Sequence, residues 1–130
     1  MRLLLDTHIA IWAATDEGDM SAGERALLAS ADIPVVSAVS IWETRLKWNS
    51  FHTSGERKGV IAPEALLAFI EAAGWTLLPL SPRHAATSLA VPLPHRDPFD
   101  ELLLVQAQVE GLQLLTRDTA FRGHPSALLA

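Results

Sequence analysis

The sequence contains no cysteine, which excludes both a disulfide framework and a zinc site built from thiolates. It has no apolar run near the ~20 residues that a membrane-spanning helix needs. The N-terminal run MRLLLDTH is broken by Asp6 and lacks the hydrophobic region and the small-residue cleavage site of a signal peptide. These absences predict a cytoplasmic protein without a membrane segment.

Positive charge is also scarce, since 10 Lys and Arg residues face 15 Asp and Glu residues and give a formal net charge of −5. This balance by itself disfavours nucleic-acid binding. A cluster of metal-binding carboxylates would, however, contribute to this negative net charge, and bound cations would make the local charge positive. The chain has 130 residues, 49% of them hydrophobic, and shows no repeat or linker. We therefore expect one globular domain over residues 1–130 with a sizeable core.

Short apolar runs alternate with segments of helical periodicity along the chain. The runs predict four strands, at residues 2–5, 35–37, 75–80 and 112–115. Caps and apolar spacing predict helices beginning near residues 7, 21, 37, 63, 81 and 98, the one from 81 reaching about residue 90. This alternation predicts an α/β fold with three layers, in which a parallel sheet of four to five strands carries helices on both faces.

The most informative stretch is HRDPFDELLL at 95–104. Asp97, Pro98 and Asp100 have the spacing of an N-cap, a first helical residue and a third helical residue. Both aspartates suit the positive end of a helix, so the stretch by itself indicates a well-formed helix start. It gains a functional meaning only because acidic residues occupy matching places elsewhere in the chain.

Four acidic residues are predicted to meet at one edge of the sheet. Asp6 and Asp118 follow predicted strands, and Glu43 and Asp100 lie early on helices that open at the same edge. Ligands of open α/β sheets bind at the carboxyl ends of the strands. Local alternatives remain open for two of these residues. Asp6 suits a helix cap, and Glu43 has capping-box spacing with Ser40 and ion-pair spacing with Lys47.

The chemistry of such a cluster follows from its charge. Two carboxylates ~4 Å apart repel by about 4 kcal/mol at an effective dielectric constant near 20. The cluster must therefore bind hard cations or hold protons. A site of oxygen ligands without cysteine favours Mg²⁺ or Mn²⁺. Two such ions can activate a water and stabilise the leaving oxygen of a phosphodiester.

Three segments carry a resemblance to a known family: LLLDTHIAIW at 3–12, SAVSIWETRLK at 37–47, and LPHRDPFDELLLVQAQVEGLQLLTRDTAF at 93–121. In order and spacing they resemble PIN-domain proteins, and among these the VapC-type toxins of bacterial toxin–antitoxin pairs. The resemblance covers nearly the whole chain. Two departures stand out, because segment 50–62 looks long for the subfamily and Glu101 replaces its usual basic residue.

The resemblance implies a compact PIN fold and a Mg²⁺- or Mn²⁺-dependent endoribonuclease, the toxin of a VapBC-type pair. It further implies a VapB-type antitoxin as partner, an RNA substrate and a homodimer. The residues it assigns are the catalytic acids Asp6, Glu43, Asp100 and Asp118, of which Asp6, Asp100 and Asp118 bind metal, with Thr116 as a polar support and Asp97 as an accessory residue. Whether Asp97 also binds metal or only caps its helix stays open.

Four basic residues neighbour these acids in sequence and are candidates to contact RNA phosphates: Arg45, Lys47, Arg96 and Arg117. Three other interpretations remain. A phosphatase with an aspartate nucleophile is disfavoured because Asp6 is followed by Thr7 and His8 rather than by a second nearby aspartate. A catalytically silent binding module would retain the acids only for partner docking. A housekeeping PIN nuclease would share the chemistry without the toxin role.

Overall fold

The computed structural model describes residues 1–15, 19–94 and 97–130. Its five strands are β1 (Leu3–Leu5), β2 (Val35–Ser37), β3 (Thr76–Leu78), β4 (Gln113–Leu115) and β5 (Ala127–Leu128). They form one sheet in the order β3-β2-β1-β4-β5, and every neighbouring pair is parallel. This confirms the predicted α/β class and the predicted parallel sheet.

Helices cover both faces of this sheet. They are α1 (Thr7–Thr15), α2 (Ala22–Ser30), α3 (Ala38–Trp48), α4 (Pro63–Ala73), α5 (Pro82–Ala86) and α6 (Pro98–Glu110). Successive side chains of a strand point to opposite faces. Leu3 and Leu5 of β1 therefore join a core with residues of α1 and α4, whereas Leu4 packs with Leu103 and Leu104 of α6. Among the described residues, no helix is long and apolar enough to cross a membrane.

Helix ends follow the local signals in the sequence. Ser21 and Glu24 form the reciprocal capping box of α2. Helix α4 begins with Pro63, and α6 begins with Pro98 after the N-cap Asp97. Both helices end at a glycine in the left-handed conformation, such as Gly111 with φ 69° after α6. These caps confirm the predicted boundaries, including the helix start at 97–100 that positions part of the site.

Helix α5 is shorter than predicted and ends at Ala86 rather than near residue 90. A side chain of α6 explains the early stop. Gln108 accepts a hydrogen bond from the Ala90 backbone N–H and donates one to the Ser88 carbonyl, so these backbone groups bind α6 instead of extending the helix. The apolar C-terminal tail, which was given no structure from sequence, supplies the edge strand β5.

A buried polar network joins β2, α5 and α6. Ser37 Oγ donates to Gln106 Oε1 at 2.5 Å, and Gln106 Nε2 lies 3.3 Å from His84 Nδ1 and 3.4 Å from the Pro79 carbonyl. His84 Nδ1 also accepts from a backbone N–H, which places the ring proton on Nε2, 2.9 Å from Glu110 Oε2. Gln106 is thus the central member of a network that fixes α6 against the sheet.

We expect Gln106→Leu to lower the free energy of unfolding by about 1–3 kcal/mol, because it leaves buried partners unsatisfied. Gln108→Leu is the matched control, since it removes two solvent-accessible hydrogen bonds of a half-buried residue on the same helix, which water can replace. Urea denaturation followed by tryptophan fluorescence measures both. Equal losses in the two variants would contradict the importance of the buried network.

Candidate active site

An acidic cleft of about 590 Å³ opens at the carboxyl edge of β1 and β4. Its lining contains every acid that the sequence nominated: Asp6, Glu43, Asp97, Asp100 and Asp118. These residues come from four separate parts of the chain, namely the end of β1, helix α3, the start of α6 and the loop after β4. The fold therefore brings the predicted site residues together, while their chemical roles remain a prediction.

Thr116 connects two of the aspartates. Its buried hydroxyl donates to Asp6 Oδ2 at 2.7 Å and accepts from the backbone N–H of Asp118 at 3.1 Å. Asp6 Oδ1 in turn accepts from the His8 N–H at 3.3 Å, at the first turn of α1. Asp6 thus caps α1 with one carboxylate oxygen and accepts a hydrogen bond from Thr116 with the other. Its capping role therefore does not exclude a role in the site. Thr116 therefore contacts both aspartates, and its role as a polar support of the site stays a prediction.

Thr7 orients Glu43 and was not assigned to the site from sequence. Its buried hydroxyl donates to Glu43 Oε1 at 2.7 Å and lies 2.9 Å from the Ser40 hydroxyl. The predicted capping box between Ser40 and Glu43 is wrong, because the N-cap of α3 is Ser37 and Ser40 lies inside the first turn against Thr7. The predicted pair with Lys47 is present, with Nζ 3.5 Å from Glu43 Oε2.

Asp97 and Asp100, the two aspartates at the start of α6, occupy different positions and make different contacts. Asp97 Oδ1 accepts from the backbone N–H groups of Phe99 at 2.9 Å and Asp100 at 3.2 Å, as an N-cap does. Asp100 lies in the first turn and lines the cleft. Phe99 packs edge-on against Trp42 of α3 with ring centres 5.3 Å apart. This contact fixes the acidic helix start against the helix that carries Glu43.

Arg117 lines the cleft, but its guanidinium binds other parts of the protein. Nε and Nη2 donate to the buried Glu24 carboxylate at 3.0 and 2.5 Å, and Nη2 donates to the Asp19 carbonyl at 2.6 Å. The group also lies over the Trp12 ring, 4.2 Å from its centre. Hydrogen bonding to Arg117 lowers the pKa of Glu24 despite its burial, and raises the pKa of Arg117. The cation proposed for RNA contact is therefore engaged in an internal ion pair.

The other candidate cations differ in position. Lys47 lines the cleft. Arg45 instead lines a separate apolar groove of about 780 Å³ between α3, α4 and β3. It is two residues from Lys47, and positions two apart lie on different faces of a helix. The structure thus places Arg45 away from the acids that it was predicted to accompany. Arg96 lies outside the described residues.

The donor chemistry of the cleft fits Mg²⁺ or Mn²⁺. Its lining supplies five carboxylate groups, the ligands that these ions prefer, beside the single imidazole of His8, and the chain has no thiolate to select a softer metal. Within residues 1–15, 19–94 and 97–130, no three acidic or histidine side chains already converge as a metal-binding group. The carboxylates therefore line the walls as separate groups rather than as a closed cage.

A five-stranded parallel sheet with an acidic cleft at its carboxyl edge defines an α/β protein whose carboxylate oxygens suit hard divalent cations. The chain belongs to the PIN domain family, whose model matches residues 3–125. This confirms the family resemblance seen in the sequence.

Individual relatives extend this comparison. The chain is 28% identical over 125 residues to Ribonuclease VapC22 of Mycobacterium tuberculosis, an alignment that covers 94% of this chain and 91% of the relative. A toxin–antitoxin complex from Klebsiella pneumoniae matches with a TM-score of 0.64 and 20% identity over 97% of this chain and 95% of its own. A DNA-bound VapBC from Salmonella typhimurium matches with a TM-score of 0.61 and 20% identity, covering 100% and 97%. The two structural matches support the fold.

Proposed function

We propose that this chain is an endoribonuclease of the VapC type, which hydrolyses RNA phosphodiesters with Mg²⁺ or Mn²⁺ and acts as the toxin of a VapBC-type pair in the cytoplasm. The observation that carries the proposal is that five carboxylates from four parts of the chain line one open cleft. Carboxylates gathered at one edge of the sheet repel one another, and a bound divalent cation would relieve that repulsion. The relative named as a ribonuclease supports the same activity.

In the proposed mechanism, Asp6, Asp100 and Asp118 hold the cation. When bound, the ion lowers the pKa of a water and stabilises charge on the leaving oxygen. Thr116 orients Asp6 and holds the backbone of Asp118, so two of the three acids are set by one buried hydroxyl. Glu43, held at Oε1 by Thr7, is placed to orient the attacking water or to accept its proton.

The proposal also includes a VapB-type antitoxin and a homodimer as the chain's assembly. The antitoxin is supported by two solved relatives, which are described as a toxin–antitoxin complex and as a DNA-bound VapBC. The homodimer rests on the family resemblance alone. Light scattering of the purified chain, alone and with a co-expressed antitoxin, tests the assembly. A monomer at all concentrations would contradict the homodimer.

The activity is tested by incubating the purified chain, freed of any partner, with a mixed RNA pool in Mn²⁺, Mg²⁺ or EDTA. Asp6→Ala is the control. Cleavage that requires the ion and is lost in the variant is the expected result. Divalent binding without cleavage of any RNA would favour the silent binding module, and a stable phosphate on Asp6 after incubation with phosphate esters would favour the phosphatase.

We expect Thr116→Val to weaken Mn²⁺ binding and slow cleavage by about 10- to 100-fold, because residues that orient metal ligands have effects of this size. The substitution preserves shape but removes the hydroxyl that meets Asp6 and Asp118. Thr119→Val is the matched control on the same loop at an exposed position. Calorimetric titration with Mn²⁺ measures both variants, and equal affinities would contradict the supporting role of Thr116.

A further inference from the structure

A second cavity of about 210 Å³ adjoins the acidic cleft. The two cavities share His8, Trp12 and Lys47 in their linings, so they are neighbours along one surface. The far side of the smaller cavity is formed by residues 58–61, at the end of the loop between α3 and α4. The loop thus forms one wall of a cavity beside the acidic cleft.

Internal contacts fix the loop that forms this wall. The Arg57 guanidinium lies over the rings of Trp48 and Phe51, 4.1 and 4.8 Å from their centres, and donates to the Trp48 carbonyl. Phe51 and Arg57 also form an antiparallel bridge, and the Lys58 N–H donates to the Ser50 carbonyl at 2.9 Å. Arg57 therefore holds the loop together, and it is Lys58 that lines the cavity.

Gly59 brings the loop backbone directly against α3. A Cβ atom at this position would lie 2.7 Å from Trp48 Cα and 2.8 Å from Trp48 N, distances that backbone atoms do not tolerate. The close approach therefore requires glycine. It sets the distance between the wall at 58–61 and the helix that carries Lys47 and Glu43.

The charges of the two cavities differ in sign. The acidic cleft has five carboxylates, and its Arg117 is engaged with Glu24. The smaller cavity has Lys47 and Lys58 against one carboxylate, Asp19. Lys47 also pairs with Glu43 of the acidic cleft at 3.5 Å, so Lys58 is the cation that belongs to the smaller cavity alone. An RNA strand repelled by the walls of the cleft is attracted on this side. The exposed His8 ring packs beside Trp12 with ring centres 5.8 Å apart. Because the Arg117 guanidinium lies over the Trp12 ring, His8 is the ring that offers a stacking surface to a nucleobase.

We propose that this smaller cavity is a subsite for the nucleotide next to the scissile phosphodiester of a single-stranded RNA. Lys58, with Lys47 beside it, binds the phosphate of that nucleotide, and its base packs against the exposed His8 ring. The identity of the ligand rests on the function proposed above. The subsite gives the RNA a direction across the protein, from the acidic cleft towards the loop between α3 and α4.

Fluorescence anisotropy with a labelled single-stranded RNA tests the subsite, with every variant made in an Asp6→Asn background so that the RNA stays intact. Lys58→Ala is expected to weaken binding by roughly 3- to 10-fold and to reduce the salt-dependence slope by about 0.7, the value of one phosphate contact in a single strand. Arg83→Ala removes one exposed positive charge from α5, which lines neither cavity. It should change neither quantity.

Gly59→Ala provides a second variant, because it forces the loop away from α3 without changing any charge. It should weaken RNA binding as Lys58→Ala does. Identical affinities and salt slopes for Lys58→Ala and Arg83→Ala would overturn the subsite, as would an unchanged affinity for Gly59→Ala.

Kinetics separate this inference from the proposed function. In the chain with Asp6 intact, Lys58→Ala should raise KM and leave kcat unchanged, because a contact kept throughout the reaction contributes uniform binding. Cleavage by the wild type with no difference between the Lys58 and Arg83 variants would reject the subsite and leave the nuclease in place. Absence of cleavage together with a selective binding loss at Lys58 would reject the nuclease and retain the RNA subsite.

Discussion

Asp100→Asn is expected to reduce RNA cleavage by more than about 100-fold while leaving the fold intact. The substitution keeps the size of the side chain but removes the charge that a hard cation requires. Even residues that only orient metal ligands cost about 10- to 100-fold when changed, so a ligand itself should cost more. Initial cleavage rates in saturating Mn²⁺, compared with the urea denaturation midpoint of the same variant, measure the two effects separately.

Asp97→Ser is the matched comparison, because it distinguishes the two aspartates of the same helix start. Asp97 accepts from two backbone N–H groups as the N-cap of α6, and serine caps helices about as well. We expect Asp97→Ser to retain cleavage within a few-fold. A loss as large as that of Asp100→Asn, without loss of stability, would show that Asp97 takes part in metal binding. Full activity in Asp100→Asn would refute the assignment of the site.

The sequence predicted those parts of the fold that depend on local signals. The cap at Asp97, the proline after it and the glycine at 111 each act within a few residues of where they stand, and they set the limits of α6. The convergence of the acids was also predictable, because parallel strands end at one edge whatever fills the loops between them. Asp6 and Asp118 needed no knowledge of side-chain contacts to be placed together.

The parts that the sequence did not predict depend on partners far along the chain. Arg117 binds Glu24 across 93 positions, and Thr7 meets Glu43 across 36. No local sequence pattern indicates which of several neighbouring basic residues will form an ion pair with a buried carboxylate. The position of Arg45 is different, since the helical period already separates it from Glu43 and Lys47, and that signal was available. The early end of α5 depended on a side chain 18–20 positions away.

The pair between Arg117 and Glu24 is expected to contribute strongly to the stability of the fold. The side chain of Glu24 is 4% exposed and that of Arg117 is 45% exposed. Loss of Arg117 would therefore leave the Glu24 carboxylate as a buried charge without its partner. Arg117→Met should lower the free energy of unfolding by about 2 kcal/mol, less than the 3–5 kcal/mol of a fully buried pair because water reaches this one. Arg122→Met, on an exposed arginine of the same loop, is the control and should change it little.

Glu24→Gln tests the same pair from the other side and links it to pH. Glutamine retains the capping box with Ser21, so the variant loses the charge and keeps the helix cap. Since Arg117 holds the pKa of Glu24 below its ordinary value of 4.5, the ionised carboxylate stabilises the fold above that value. This contribution is lost as the pH falls through the lowered pKa of the folded state.

Denaturation midpoints measured from pH 7 down to pH 3 should therefore show a component below about pH 4.5 in the wild type that Glu24→Gln lacks. Adding Glu24→Gln to Arg117→Met should restore part of the stability lost in Arg117→Met, because the double variant no longer buries an uncompensated charge. Additive losses in the double variant would show that the two residues act independently. Since Arg117 directly precedes Asp118, an independent Arg117 would return to being a candidate for RNA contact at the edge of the acidic cleft.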